Sequence, residues 1–106
     1  MNKSIDQDEF RRVIEDLELS LVQFKAQWNG ACQIASLIYD DLARSYEDEA
    51  RFYNVDIDEQ AGLDREYGVN EIPTILFFKG GRIVDYARGL TPKTELIAKI
   101  ENALTH

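Results

Sequence analysis

The order of helix-forming and strand-forming segments is the feature that most constrains the fold of this chain. Short runs rich in aliphatic and aromatic residues alternate with segments in which apolar residues recur every three or four positions. The predicted elements are a helix over 7–16, a strand over 19–26, a helix over 31–46, a strand over 51–57, a short helix over 59–67, strands over 74–79 and 82–87, and a helix over 92–104. This order implies an α/β domain whose mixed central β-sheet is flanked by helices on both faces.

Cap and turn residues indicate where several of these elements begin. Asp6 precedes Glu9 by three residues, which is the spacing of a capping box. Thr91 is placed to cap the last helix, with Pro92 at its favoured first position. Gly80-Gly81 separates two strand-like runs, as in a tight hairpin. The apolar stripe predicted for the first helix consists of Phe10, Val13, Ile14 and Leu17.

Length and composition are those of one compact domain. The 106 residues, 44% of them hydrophobic, suit a single domain over 1–106 with a modest core. The first residues lack the apolar run of a secretory signal, and no segment approaches the roughly 20 apolar residues that span a bilayer. We therefore expect a cytoplasmic protein with no membrane partner, although a precursor segment removed ahead of residue 1 would leave no trace.

Charge and the scarcity of metal-binding side chains argue against two further classes of function. With 20 acidic and 12 basic residues, the net charge of -8 opposes binding to phosphate backbones, so no nucleic-acid partner is expected. One Cys and one His, the terminal His106, cannot supply the four Cys/His ligands of a structural zinc site. We expect neither a metal nor a cofactor.

The segment Phe24-Lys25-Ala26-Gln27-Trp28-Asn29-Gly30-Ala31-Cys32 has the layout of a dithiol site. A strand ends in an aromatic residue, and a Trp-x-Gly-x-Cys turn then opens a helix, with Asn29 placed as its N-cap. A dithiol site needs two cysteines, one to attack a disulfide and one to resolve the mixed disulfide. Cys32 is the only cysteine of the chain, so no internal disulfide can form.

Four motifs in this order resemble the thioredoxin family over about residues 7–104. They are Phe24-x-Ala26-x-Trp28-x-Gly30-x-Cys32, then Val55-Asp56-Ile57-Asp58, then Tyr67-Gly68-Val69-x-x-Ile72-Pro73-Thr74 with the strand and Gly80-Gly81 behind it, and finally Gly89 before the last helix. Any one motif alone is weak, whereas four at the right spacing are specific. The resemblance implies the thioredoxin fold, with a first strand that is short or missing because no strand pattern is obvious before Ser4.

The resemblance places Cys32 at the position of the resolving thiol and Asn29 at that of the nucleophilic cysteine. An amide cannot supply a thiolate, so we expect no dithiol turnover. Ala31 also replaces the proline that is usual between the two cysteines. We expect Cys32 to be a half-buried and largely inert thiol; the alternative is monothiol chemistry, such as glutathionylation or an intermolecular disulfide.

Gln23 and Asn54 depart from the family pattern in the same direction. The resemblance puts Gln23 where a buried Asp commonly helps proton transfer and Asn54 where the Lys partner of that Asp lies. Buried charges are costly unless they serve a purpose, so a pair of neutral amides fits a site that no longer moves protons. We expect the two amides to satisfy each other's hydrogen bonds.

The resemblance also implies a surface that docks an extended substrate segment beside a cis Ile72-Pro73 bond. The predicted substrate-binding residues are Trp28, Gly30, Ala31, Ile72, Pro73, Gly89 and Leu90. Backbone pairing and apolar contact need no thiol, so the favoured function is a monomeric module that binds a protein or peptide client at the cis-proline groove. Trp28 is either an exposed anchor of this surface or a scaffold residue packed against the turn.

Two other functions stay open from the sequence. A thiol-disulfide oxidoreductase of cell redox homeostasis would use Cys32 as a monothiol, with a second thiol from a partner protein or glutathione. Alternatively, Asn29 is an engineered replacement in an otherwise ordinary thioredoxin, against which the amides at Gln23 and Asn54 argue.

Overall fold

The computed structural model describes residues 2–106, in which four helices flank one five-stranded sheet. In chain order the elements are β1 (Asn2–Ser4), α1 (Gln7–Val13), β2 (Ser20–Lys25), α2 (Gly30–Ser45), β3 (Arg51–Asp56), α3 (Leu63–Glu66), β4 (Thr74–Lys79), β5 (Arg82–Arg88) and α4 (Lys93–Thr105). Every element predicted from the sequence is present. The first strand, predicted to be short or missing, is a strand of 3 residues.

The sheet has the strand order β1-β3-β2-β4-β5 and is mixed. Strands β1, β3 and β2 run parallel, whereas β4 is antiparallel to β2 and β5 is antiparallel to β4. The central strand β2 is buried at every residue except Lys25, which explains its nearly continuous apolar sequence. The ends of β2 and β3 therefore lie at the same edge of the sheet as the start of β4, and this edge carries the candidate site.

Helices cover both faces of the sheet, and each face has its own core. On one face, α2 and α4 pack their apolar residues against Leu21 and Phe77. On the other face, α1 and α3 pack around Phe10, whose ring lies 6.1 Å from that of Phe24 and 5.7 Å from that of Phe78, both in edge-to-face geometry. The sheet is thus fixed from two sides, which makes its edge a rigid platform.

The first helix starts as predicted and ends earlier. Asp6 and Glu9 form the capping box, with the Glu9 backbone N–H donating to Asp6 Oδ1 at 2.8 Å. The helix ends at Val13, and the chain then turns where Asp16 Oδ1 accepts a hydrogen bond from the Glu18 backbone N–H. Leu17, assigned to the apolar stripe, is 84% exposed because it lies beyond the helix.

The prediction that Thr91 caps the last helix is wrong. Pro92 occupies the N-cap position with an extended ψ of 144°, and the helix begins at Lys93. The Thr91 hydroxyl instead donates backwards, to the carbonyl of Gly89 at 3.3 Å. Thr91 lies one residue before this N-cap, and no side chain caps the helix.

Candidate functional site

Asn29 lies between the end of β2 and the first residue of α2, and it caps the N-terminus of that helix. Its backbone is extended, with φ of -91° and ψ of 121°, and its side-chain Oδ1 accepts a hydrogen bond from the Cys32 backbone N–H at 2.9 Å. This is the N-cap geometry that the sequence predicts, and it satisfies one of the four N–H groups left unpaired at a helix start. The side chain at this position therefore supports the helix and offers no nucleophile.

Cys32 lies in the first turn of α2 and is only 2% exposed, so the expectation of a half-buried thiol is wrong. The cause is the position of this residue on the face of the helix that packs on the sheet, the same face as Tyr39 and Leu42. The thiol borders a cleft of about 440 Å³, whose lining is Lys25, Ala26, Gln27, Cys32, Gln33 and Ser36.

Gln23 and Asn54 are in-register neighbours on β2 and β3, and both are buried. The expectation that they hydrogen-bond to each other is nevertheless wrong. Within residues 2–106, neither the amide nitrogen nor the amide oxygen of Gln23 has a hydrogen-bond partner.

Trp28 projects from the turn and is 68% exposed. Its indole Nε1 donates a hydrogen bond to Asp58 Oδ2 at 2.8 Å. Asp58 follows β3 in a turn closed by a hydrogen bond from its own backbone N–H to Asp56 Oδ1, at 2.9 Å. Sequence analysis gave Asp58 no role, although it belongs to the second family motif; only the tertiary contact identifies it as the residue that orients the indole.

The loop that precedes β4 contains a cis peptide bond between Ile72 and Pro73. Two hydrogen bonds hold the loop: the Gly89 backbone N–H donates to the Pro73 carbonyl at 2.7 Å, and the Thr74 hydroxyl donates to the Glu71 carbonyl at 2.7 Å. Gly89 has φ of 71°, in the region that favours glycine. The hydrogen bond from Gly89 to Pro73 therefore links the end of β5 to the start of β4, at a position whose positive φ favours glycine.

A second cleft, of about 350 Å³, lies beside Trp28. Its lining is Trp28, Ile57, Asp64, Arg65, Val69, Asn70, Glu71 and Ile72. The structure thus brings together two of the predicted docking residues, Trp28 and Ile72, in one cleft, while Cys32 borders the other. Gly30 and Ala31 open α2, and Leu90 is exposed next to Gly89.

The charges around the Trp28 cleft are unequal. Asp64 and Glu71 line it together with a single guanidinium, that of Arg65. The neighbouring carboxylate of Glu66 is already matched, because a two-pronged ion pair with Arg11 at 2.9 and 3.1 Å lowers the pKa of Glu66. The cleft consequently combines apolar walls with an excess of negative charge.

Two kinds of feature are absent from residues 2–106. No helix there has the length and apolar character needed to cross a membrane. No group of three or more His, Cys, Asp and Glu side chains in this part of the chain is arranged to hold a metal ion.

Comparison with known proteins agrees with the fold and with the sequence motifs. A sequence model described as thioredoxin matches residues 2–102. A thioredoxin from Synechocystis sp. is 35% identical over 96 residues, covering 90% of each chain. A chloroplastic M-type thioredoxin from Chlamydomonas reinhardtii is 32% identical over 102 residues, covering 95% of this chain and 73% of the relative. The crystal structure of a thioredoxin from Malassezia sympodialis superposes with a TM-score of 0.90 at 30% identity, over 97% of this chain and 93% of that one.

The chain belongs to the thioredoxin family, and its fold is the thioredoxin fold.

Proposed function

We propose that this protein is a binding module of the thioredoxin family, which docks an extended segment of a client protein and does not turn over disulfides with a dithiol. The observation that carries the proposal is the use of Asn29: its side chain caps α2 at the position that the family resemblance assigns to the attacking cysteine. The one thiol of the chain, Cys32, is buried behind it.

The docking half of the proposal is supported by the shape of the surface. Trp28 is exposed and oriented by Asp58, and an exposed, immobilised aromatic side chain is the kind of residue that dominates binding energy at interfaces. Ile72 shares a cleft with it. The surface that binds the client comprises Trp28, Gly30, Ala31, Ile72, Pro73, Gly89 and Leu90.

The competing function is monothiol exchange through Cys32, and the cleft at this residue favours it. In that reaction the Cys32 thiolate attacks a disulfide of a client or of oxidised glutathione, forms a mixed disulfide and releases one thiolate. A second thiol, from glutathione or a partner protein, then attacks the mixed disulfide and returns Cys32 to the thiol. The lining of the cleft includes Lys25, Gln27 and Gln33, polar side chains that a client or glutathione could contact beside the thiol.

Insulin reduction with dithiothreitol separates the two functions. We expect the wild-type protein to match the dithiothreitol background, and Asn29→Cys to exceed it because the docking surface then gains its nucleophile. Wild-type activity that disappears in Cys32→Ser would overturn the binding-only proposal. Folding of each variant is checked by circular dichroism, since the Asn29→Cys change removes a cap worth about 0.5–2 kcal/mol.

The proposal includes a monomeric state and a cytoplasmic location. Because its single thiol is buried, we do not expect the folded chain to form a covalent dimer. Sedimentation of the purified protein checks the first point. Imaging of the tagged full-length protein checks the second, against the chloroplast location that the names of some relatives carry.

A further inference from the structure

We propose that the client segment recognised at the Trp28 cleft is cationic: an extended stretch in which an apolar side chain is followed or preceded, two residues away, by Lys or Arg. This inference rests on the proposed docking function and specifies the chemistry of the client.

The apolar part of the recognition is formed by the walls of the cleft. Trp28, Ile57, Val69 and Ile72 supply them, and the hydrogen bond from Trp28 to Asp58 keeps the indole in place without a ligand. A cleft of about 350 Å³ accepts one aliphatic or aromatic side chain of an extended segment. A preorganised wall reduces the ordering cost of binding.

The charged part is formed by carboxylates that have no partner of opposite charge. Within residues 2–106, neither Asp64 nor Glu71 forms an ion pair. Of the two carboxylates, Glu71 lies nearer to the predicted docking residues. It immediately precedes Ile72, and its Oε2 lies 3.5 Å from the point where a side chain on Gly89 would begin. This carboxylate of the cis-proline loop therefore lies beside Gly89, at the surface proposed to bind the client.

The basic side chains near the cleft do not cancel this charge. Arg65 is the single cation in the lining, against Asp64 and Glu71. Arg88, next to Gly89 in sequence, lies over the ring of Tyr86 at 4.8 Å from the centroid and lines a different cleft. Asp58 adds a third carboxylate beside the indole.

An extended segment can satisfy both parts at once. Residues i and i+2 of a strand project from the same face, about 6.5–7 Å apart. An apolar side chain in the cleft therefore places a Lys or Arg at the next same-face position, where its long side chain can reach Glu71. An acidic residue there would meet a like charge and be rejected, so the same carboxylate supplies both attraction and discrimination.

Binding is measured by the fluorescence of Trp28, the only tryptophan of the chain, with three synthetic peptides of one length and one apolar residue. The peptides carry Lys, Gln or Glu at the two same-face positions. We expect Lys to bind about threefold to fivefold more tightly than Gln for each contact, Glu to bind least, and the Lys advantage to shrink as salt rises to about 1 M.

Matched variants locate the effect. Glu71→Gln should remove most of the Lys preference, while Glu47→Gln should leave it unchanged. Glu47 is an exposed carboxylate beyond the C-terminal end of α2, and the 16 residues of that helix separate it from the turn by about 24 Å. Both changes remove one negative charge, so a difference between them reports local contact.

The outcomes distinguish the two proposals. Equal affinity for the Lys and Gln peptides, or equal effects of Glu71→Gln and Glu47→Gln, would overturn the cationic client and leave docking in place. Absence of binding by all three peptides, checked by chemical shifts of the Trp28 and Gly89 amides, would overturn the docking function itself. A Lys preference that Glu71→Gln abolishes would support both.

Discussion

Replacement of Gln23 by methionine should stabilise the protein. Gln23 is 0% exposed, lies at the centre of β2 with Asn54 and Ile75 as its in-register neighbours, and has no hydrogen-bond partner for either polar atom of its amide among residues 2–106. A buried polar group without a partner costs about 1–3 kcal/mol. Methionine is unbranched like glutamine up to its third side-chain atom, has one side-chain heavy atom fewer, and has no group that needs a hydrogen bond.

The expected gain follows from two opposing contributions. Removal of the desolvated amide contributes about 1–3 kcal/mol, and a volume-conserving swap in a packed core costs less than about 1.5 kcal/mol. A net gain of about 1–2 kcal/mol should raise Tm by about 5–10 °C in a domain of this size. Gln23→Leu, which differs in shape, should give a gain of the same sign.

Urea unfolding followed by circular dichroism measures this gain, with Gln27→Met as the control. Gln27 is exposed, so the same chemical change there should alter the free energy of unfolding by less than about 0.5 kcal/mol. A loss of stability in both Gln23→Met and Gln23→Leu would show that the amide is hydrogen-bonded in solution, for example by a buried water, and would refute the reasoning.

Three further predictions concern the helix cap and two titrating groups. Asn29→Ala should lower the free energy of unfolding by about 0.5–2 kcal/mol through loss of the cap, whereas Asn29→Asp, which keeps an acceptor, should not; urea melts compare the two. Burial and the 2.6 Å hydrogen bond to Glu101 raise the pKa of Tyr46 from 10.0 to about 12. The contribution of Tyr46 to stability is therefore complete below pH 10 and lost as pH rises to about 12. In a comparison of tyrosinate absorbance against pH, the wild-type protein should show a step near pH 12 that the Tyr46→Phe variant lacks. Arg11 lowers the pKa of Glu66 below 4.5, so this ion pair stabilises the fold above that pH, and its contribution is lost as pH falls through the lowered pKa. A carboxyl titration by NMR should show the pKa of Glu66 closer to its ordinary value in the Arg11→Met variant.

The order of elements could be predicted because each depends on local pattern. The buried run of β2 and the glycine pair between β4 and β5 are signals within a few residues, and the capping box at Asp6 is equally local. Predicted helix boundaries were wrong where a turn next to the helix determines its first or last residue. Thr91 has the right side chain for a cap, but the helix begins at Lys93 and Pro92 takes the N-cap position, so Thr91 lies one residue too early.

The site was predictable in its membership and not in its contacts. The motifs identified Trp28, Asn29 and Cys32, but the hydrogen bond from Trp28 to Asp58 joins residues that are 30 positions apart and depends on the packing of β2 beside β3. The depth of Cys32 depends likewise on which face of α2 meets the sheet. Register pairs Gln23 with Asn54, yet the pairing of two backbone positions does not make their side chains hydrogen-bond to each other.

The solitary thiol of Cys32 leaves the chain without an internal disulfide to form or break. A dithiol protein of the kind that the family resemblance implies alternates between an oxidised and a reduced form, and a partner can bind the two forms with different affinities. In this chain the surface around Trp28 has no such alternative within a single molecule, since no second cysteine exists to oxidise against. If it binds a client, its affinity should be constant across the range of thiol potentials in a cell, so the complex would persist through oxidative episodes that switch other members of the family.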